Sequence, residues 1–111
     1  MKKSVPYEAA EQRALVAKLR KCGLFVYHIP NHKEQKDGAL AGIPDLQIVV
    51  DGGLVVWVEL KRRKGGSVSP EQKKIHASLK ELGHTVILAK GAKEAWEALI
   101  QLPVLGLSSC C

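Results

Sequence analysis

The chain has 111 residues, 46% of them hydrophobic and 25% charged, a composition that is ordinary for one soluble globular domain. No apolar run approaches the ~18 residues that a membrane span needs. The basic start Met1–Ser4 leads into charged residues, so we expect neither a membrane anchor nor a signal peptide. Seventeen Lys and Arg against eleven Asp and Glu give a net charge of +6, which favours a polyanionic partner such as nucleic acid.

Hydrophobic periodicity and turn residues predict seven elements in the order α-β-β-β-α-β-α, an α/β domain around a small mixed sheet. Gly23 ends the first helix, and Asp51–Gly53 is a strong hairpin signal. Ser69-Pro70 with Gln72 predicts a helix start with a capping box. The elements are a helix at about 7–22, strands at 24–29, 45–50 and 54–61, a helix at 70–82, a strand at 85–89 and a helix at 91–101.

We expect residues 1–111 to form a single domain with a core at about 7–102 and a short tail at 103–111 that carries no signal. The cysteines are Cys22, Cys110 and Cys111, an odd number without metal-ligand spacing. They therefore predict neither a disulfide framework nor a zinc site, and they favour a reducing cytoplasm.

The hairpin carries the most informative chemistry. If Asp51–Gly53 is a three-residue loop, Val50 pairs with Leu54 and Asp45 lies directly opposite Glu59. Like charges at such positions repel, and strand alternation places Lys61 on the same face as Glu59. Two carboxylates and a lysine then converge at one end of the hairpin, which suits a hard cation with an amine beside it. The alternative is a turn residue at Asp45 and a solvated strand face at Glu59 and Lys61.

A third carboxylate, that of Glu8, supports the interpretation of these residues as a metal site. On a helical wheel of ~100° per residue, Glu8 falls close to the direction of Leu15 and Leu19, where an unpaired carboxylate would be costly. Glu11 lies further round, toward the edge of that face, and is the weaker candidate. The alternative for Glu8 is a favourable interaction with the helix dipole in the first turn.

These residues resemble the PD-(D/E)xK nuclease signature, in which Pro44-Asp45 is followed after thirteen residues by Glu59-Leu60-Lys61. More narrowly, the chain resembles the VRR-NUC family of virus-type replication and repair nucleases over roughly residues 7–90. The other matching positions are Glu8 fifteen residues before Gly23, Asn31, Gly42-Ile43-Pro44-Asp45-Leu46, Ser69-Pro70-Glu71-Gln72 and Gly83.

The resemblance implies a restriction-endonuclease-like fold and phosphodiester hydrolysis with one or two Mg²⁺ or Mn²⁺ ions. Lys61 would orient the attacking water and offset charge that develops on the phosphorane. Gln72 would support the catalytic residues Asp45, Glu59 and Lys61, although completing a capping box with Ser69 explains it equally well, and both roles can hold. The implied metal ligands are Glu8, Asp45, Glu59 and the backbone carbonyl of Leu60.

Basic side chains near this site suit phosphate contacts that hold nucleic acid without reading its sequence. A solvated charged surface is the ordinary explanation for such a run, and the polar loop at 31–43 either closes on substrate or is plain disorder. His28, His76 and His84 have no ligand spacing, so we predict structural or surface roles for them. The candidate nucleic-acid-binding residues are Arg62, Arg63, Lys64, Lys73, Lys33 and Lys36.

The resemblance further implies a stand-alone DNA endonuclease that acts as a homodimer on branched DNA, such as four-way (Holliday) junctions. A dimer suits a symmetric junction because one small site cuts one strand. The implied location is the cytoplasm of a bacterial or phage-infected cell, without membrane association. The alternatives are a non-catalytic nucleic-acid-binding accessory module and a flap- or RNA-directed nuclease of the same fold. A binding-only domain, however, has no need to hold repelling carboxylates together.

Overall fold

The computed structural model describes residues 7–30, 40–62 and 64–110, and for Tyr7 and Glu8 only the backbone. The predicted order α-β-β-β-α-β-α is confirmed. The side chain of Glu8 and the predicted site or motif residues Asn31, Lys33, Lys36 and Arg63 lie outside this description. The elements are α1 (Tyr7–Lys21), β1 (Phe25–His28), β2 (Leu46–Val50), β3 (Leu54–Lys61), α2 (Pro70–Glu81), β4 (Thr85–Lys90) and α3 (Ala92–Ile100).

The four strands form one mixed sheet in the order β1-β2-β3-β4. The first three are antiparallel, and β4 runs parallel to β3 after the crossover through α2. Val50 pairs with Leu54, which confirms the predicted three-residue turn between β2 and β3. Gly52 and Gly53 both have positive φ in this turn, 80° and 79°, a conformation that a residue with a Cβ adopts only at a cost.

The helices lie on both faces of the sheet. Leu15 and Leu19 of α1 and Ala95 and Leu99 of α3 share one buried cluster with the residues of β3 that alternate with Glu59. Glu59 points to the opposite face, where the buried side chains of α2 meet it. The site is therefore enclosed between β3 and α2, while the main core fills the other side. Among the helices described, none is long and apolar enough to cross a membrane.

The C-terminal segment folds back onto the core, which the sequence did not predict. Two 3₁₀ turns, Pro103–Leu105 and Leu107–Ser109, bury Leu105 and Leu107 in the main cluster. This return brings Cys110 to the end of α1, where it forms a disulfide with Cys22 at a Cα separation of 5.7 Å. The prediction that these cysteines would not pair is wrong. The expectation of a reducing compartment rested on it and loses that support.

Candidate active site

The hairpin register brings Asp45 and Glu59 together. Leu46 pairs with Val58, so one step further along the same register Asp45 lies opposite Glu59, as its spacing predicts. Two hydrogen bonds fix Asp45. Its carbonyl accepts from the backbone N–H of Ile29 at 2.7 Å, and its Oδ2 accepts from the N–H of Leu60 at 2.8 Å. The Asp45 carboxylate is thereby attached to β3 beside Glu59, while its backbone is attached to the end of β1.

Glu59 is a buried carboxylate, only 2% exposed, with a lysine as its neighbour. Lys61 lies on the same face of β3, and its Nζ is 3.8 Å from Glu59 Oε2. The Lys61 side chain is 15% exposed, so the pair is shielded from solvent on most sides. Burial of an ionised carboxylate is unfavourable unless charge or hydrogen bonds compensate it, and Lys61 supplies part of that compensation.

Gln72 connects Lys61, Glu59 and the start of α2. Its Oε1 accepts from Lys61 Nζ at 2.8 Å and from the N–H of Ser69 at 3.0 Å. Its Nε2 donates to Glu59 Oε2 at 3.1 Å. The capping box is confirmed, since Ser69 Oγ also accepts from the N–H of Gln72 at 3.1 Å. The two explanations offered for Gln72 are therefore compatible, because one amide both caps α2 and contacts the two charged groups.

The buried face of α2 differs from the one that the sequence predicts. Helical spacing predicts that Gln72 shares an inward face with Ile75, Leu79 and Leu82. In the structure, however, Leu82 is 75% exposed, and Ile75 and Leu79 are only half-buried. The buried residues of α2 are Gln72 and His76, one helical turn apart. His76 therefore lies at the site, although its lack of ligand spacing had suggested a structural or surface role. Its i+4 relation to Gln72 was the signal that could have placed it there.

His76 is held in its neutral form. Burial is the main cause that lowers its pKa below the ordinary value of 6.5, and the charges of Lys80 and Lys61 lower it further. The charge of Asp45 acts in the opposite direction but does not prevail. At pH 7 His76 is therefore a neutral imidazole, which carries one N–H donor and one acceptor nitrogen.

Gly42 lets the segment before Asp45 pass against the start of α2. It is buried with φ +92°, and a Cβ built there would lie 2.6 Å from the carbonyl oxygen of Glu71 and 2.9 Å from the backbone nitrogen of Gln72. Both are backbone atoms that cannot rotate away. The glycine in the Gly42–Leu46 motif thus fixes the distance between the Asp45 segment and the first turn of α2.

We expect Gly42→Ala to destabilise the protein and to slow any reaction that depends on Gln72. The left-handed backbone alone costs a residue with a Cβ about 1–2 kcal/mol, and the contact with α2 adds to that. Gly52→Ala is the matched control, since Gly52 has φ +80° but no atom lies within 4 Å of the position that its Cβ would take. Thermal unfolding of both variants measures the difference. Equal decreases in stability would contradict the close approach at Gly42.

The described basic candidates are on the surface and follow residues of the site along the chain. Arg62, Lys64 and Lys73 are exposed, in contrast to Lys61. Their positions just after β3 and in the first turns of α2 are compatible with phosphate contacts. Gly66 lies close to the end of β3, since a Cβ at Gly66 would lie 2.8 Å from backbone atoms of Arg62.

The helix α1 presents its predicted face to the core. Leu15 and Leu19 are fully buried, as the helical wheel predicts, and the side chain of Glu8 lies outside the description. Glu11 has a structural contact, because its Oε1 accepts from the N–H of Ala92 at 2.8 Å at the start of α3. Within the described side chains, no three His, Cys, Asp or Glu residues form a group that could hold a metal ion.

Comparison with known proteins identifies the fold. A solved structure described as a VRR_NUC domain protein has a TM-score of 0.74 at 25% identity, over 94% of this chain and 93% of its own. Another, described as a VRR_NUC domain, has a TM-score of 0.70 at 18% identity, over 87% of this chain and 98% of its own. No family model matches the sequence, and no curated protein does. The chain thus has the VRR-NUC fold that its motifs resemble, a fold of the nuclease type.

Proposed function

We propose that this protein is a divalent-metal-dependent endonuclease that hydrolyses phosphodiester bonds of DNA, with branched DNA such as four-way junctions as its substrate. The observation that carries the proposal is the network of Glu59, Lys61 and Gln72, closed by Asp45 across the hairpin. A buried carboxylate beside a partly buried amine is costly to maintain, and such arrangements cluster at functional sites.

The donor chemistry of the site suits Mg²⁺ or Mn²⁺, because carboxylate and carbonyl oxygens are the ligands that these ions prefer. Asp45, Glu59 and the carbonyl of Leu60 would hold the ion, with Glu8 as the ligand from α1. When bound, it would polarise the scissile phosphate and lower the pKa of a nearby water.

The protein's own residues would then complete the reaction. Lys61, oriented by Gln72, would position the attacking water and stabilise the negative charge that grows on the phosphate oxygens. Hydrolysis joins the water oxygen to phosphorus and breaks the bond to the leaving oxygen, which takes up a proton. Arg62, Lys64 and Lys73 would hold the flanking backbone through charge, without reading its sequence.

We propose a homodimer as the active form. Each chain carries one set of Asp45, Glu59 and Lys61, whereas resolution of a symmetric four-way junction requires two cuts. A two-fold axis in the enzyme would match the two-fold axis of the junction. Sedimentation of the protein alone and with a junction measures the stoichiometry, and one chain per cleaved junction would contradict the dimer.

The test compares a labelled four-way junction, a flap, a linear duplex and an RNA duplex, each with Mg²⁺, with Mn²⁺ and with a chelator. We expect cleavage of the junction with either ion and none in the chelator. Binding without cleavage under every condition would favour the accessory module, and preferred cleavage of the flap or the RNA would reassign the substrate. Cleavage in the chelator would contradict a metal-dependent mechanism.

The two glutamates of α1 should differ in their effects. We expect Glu8→Gln to lose metal affinity and activity, because an amide cannot supply the charge that a dication needs. Glu11→Gln should change little, because its amide oxygen can still accept from the N–H of Ala92. Titration calorimetry with Mn²⁺ on both variants decides between them. The reverse ranking would mean that Glu11, rather than Glu8, is the ligand from α1.

A further inference from the structure

His76 presents one buried nitrogen to Glu59. Its Nε2 is 3.6 Å from Glu59 Oε1, and the two side chains are only 10% and 3% exposed. Within the described residues this nitrogen has no hydrogen-bond partner. A buried nitrogen without a hydrogen bond lowers the stability of the folded protein, so its orientation toward a carboxylate requires a physical explanation. The separation of 3.6 Å is somewhat longer than a hydrogen bond, but at this distance an N–H dipole still interacts with a buried carboxylate, because solvent screens the pair little.

The opposite oxygen of the same carboxylate is already held from α2. Gln72 donates to Oε2 at 3.1 Å, and His76 follows Gln72 by one helical turn on the same buried face. Gln72 and His76 thus approach the two oxygens of Glu59 from one rigid element. The imidazole of His76 needs no charge for this role, since its neutral form has one N–H to donate.

We propose that His76 is a positioning residue for Glu59: its Nε2–H holds Oε1 while the Gln72 amide holds Oε2, so that α2 fixes the orientation of the carboxylate. This rests on the proposed function, in which Glu59 binds the metal. Partners that orient a ligand in this way typically contribute about 10–100-fold to metal affinity.

The first test does not depend on nuclease activity. Thermal unfolding in a chelator is measured for His76→Leu, Glu59→Leu and the double variant, because a leucine at position 59 has no oxygen that could still accept from His76. If the two side chains interact, the Tm shift of the double variant will differ from the sum of the two single shifts by about 2 °C or more. Ile75→Ala combined with Glu59→Leu is the matched control, since Ile75 is the half-buried neighbour on α2, and its shifts should add. Additive shifts for His76 and Glu59 would overturn the proposal.

The second test measures the affinity for Mn²⁺ by electron paramagnetic resonance without nucleic acid. We expect His76→Leu to weaken binding about tenfold, His76→Gln to restore it to near the wild-type value, and Ile75→Ala to leave it unchanged. A Gln at this position can place an amide N–H where Nε2 lies. Unchanged affinity in His76→Leu would overturn the proposal, and so would a histidine nitrogen bound directly to Mn²⁺ in pulsed spectra. A wild type that binds no Mn²⁺ would refute the proposed function, and the unfolding cycle would still decide whether His76 holds Glu59.

Discussion

Replacement of Glu59 by Gln, or of Asp45 by Asn, is expected to reduce the cleavage rate by on the order of 1,000-fold or more. Each amide keeps the shape of the side chain but removes the charge that holds a dication, and a metal ion contributes several kcal/mol to the transition state. Stability in a chelator should hold or rise. The amide oxygen introduced by Asp45→Asn can still accept from the N–H of Leu60, and the repulsion between two apposed carboxylates is relieved.

Single-turnover rates on a labelled junction, together with unfolding curves in a chelator, measure both effects. Asp51→Asn and Glu71→Gln are matched controls, because both carboxylates are exposed and lie outside the network of Glu59. Their rates should equal that of the wild type. If the Asp45 or the Glu59 variant cuts the junction at the normal rate with Mg²⁺, the metal site is not where we place it.

The second large effect is expected from Lys61, whose loss should lower the cleavage rate, whereas changes in the basic residues that follow it should lower DNA binding. Lys61 is mostly buried and donates to Gln72, whereas Arg62 and Lys64 are exposed. We expect Lys61→Met to lose about 100-fold or more in single-turnover rate while junction binding stays near normal, since its charge acts on the transition state. Charge reversal at Arg62, Arg63 and Lys64 should weaken binding instead. The salt dependence of binding should become shallower by up to ~0.9 for each phosphate that the variant no longer neutralises.

Rates at saturating protein distinguish the two roles. The basic-loop variant should recover much of its activity there, and the Lys61 variant should not. Charge reversal at Arg13, Lys21 and Lys93, three exposed residues on α1 and α3, controls for the change in net charge alone. If both the Lys61 and the basic-loop variants bind poorly and recover alike at saturation, Lys61 is only a phosphate contact and the proposed mechanism is wrong.

The sequence by itself determined the parts of this protein that depend on neighbours along the chain. The turn Asp51–Gly53 sets the register of the hairpin, and that register places Asp45 opposite Glu59. Strand alternation places Lys61 beside Glu59, and the spacing from Ser69 to Gln72 specifies the capping box. Each of these follows from a fixed local period or a short turn, so residue spacing is enough to predict it.

Only the tertiary structure decided how α2 and the C-terminal segment meet the rest of the chain. Rotation of α2 about its axis buries His76 against Glu59 and exposes Leu82, which helical spacing alone cannot fix because Gln72 is compatible with either face. The disulfide between Cys22 and Cys110 joins residues 88 positions apart, and it depends on the return of the tail over the core. Such contacts arise from how whole elements pack against one another, so no local period in the sequence encodes them.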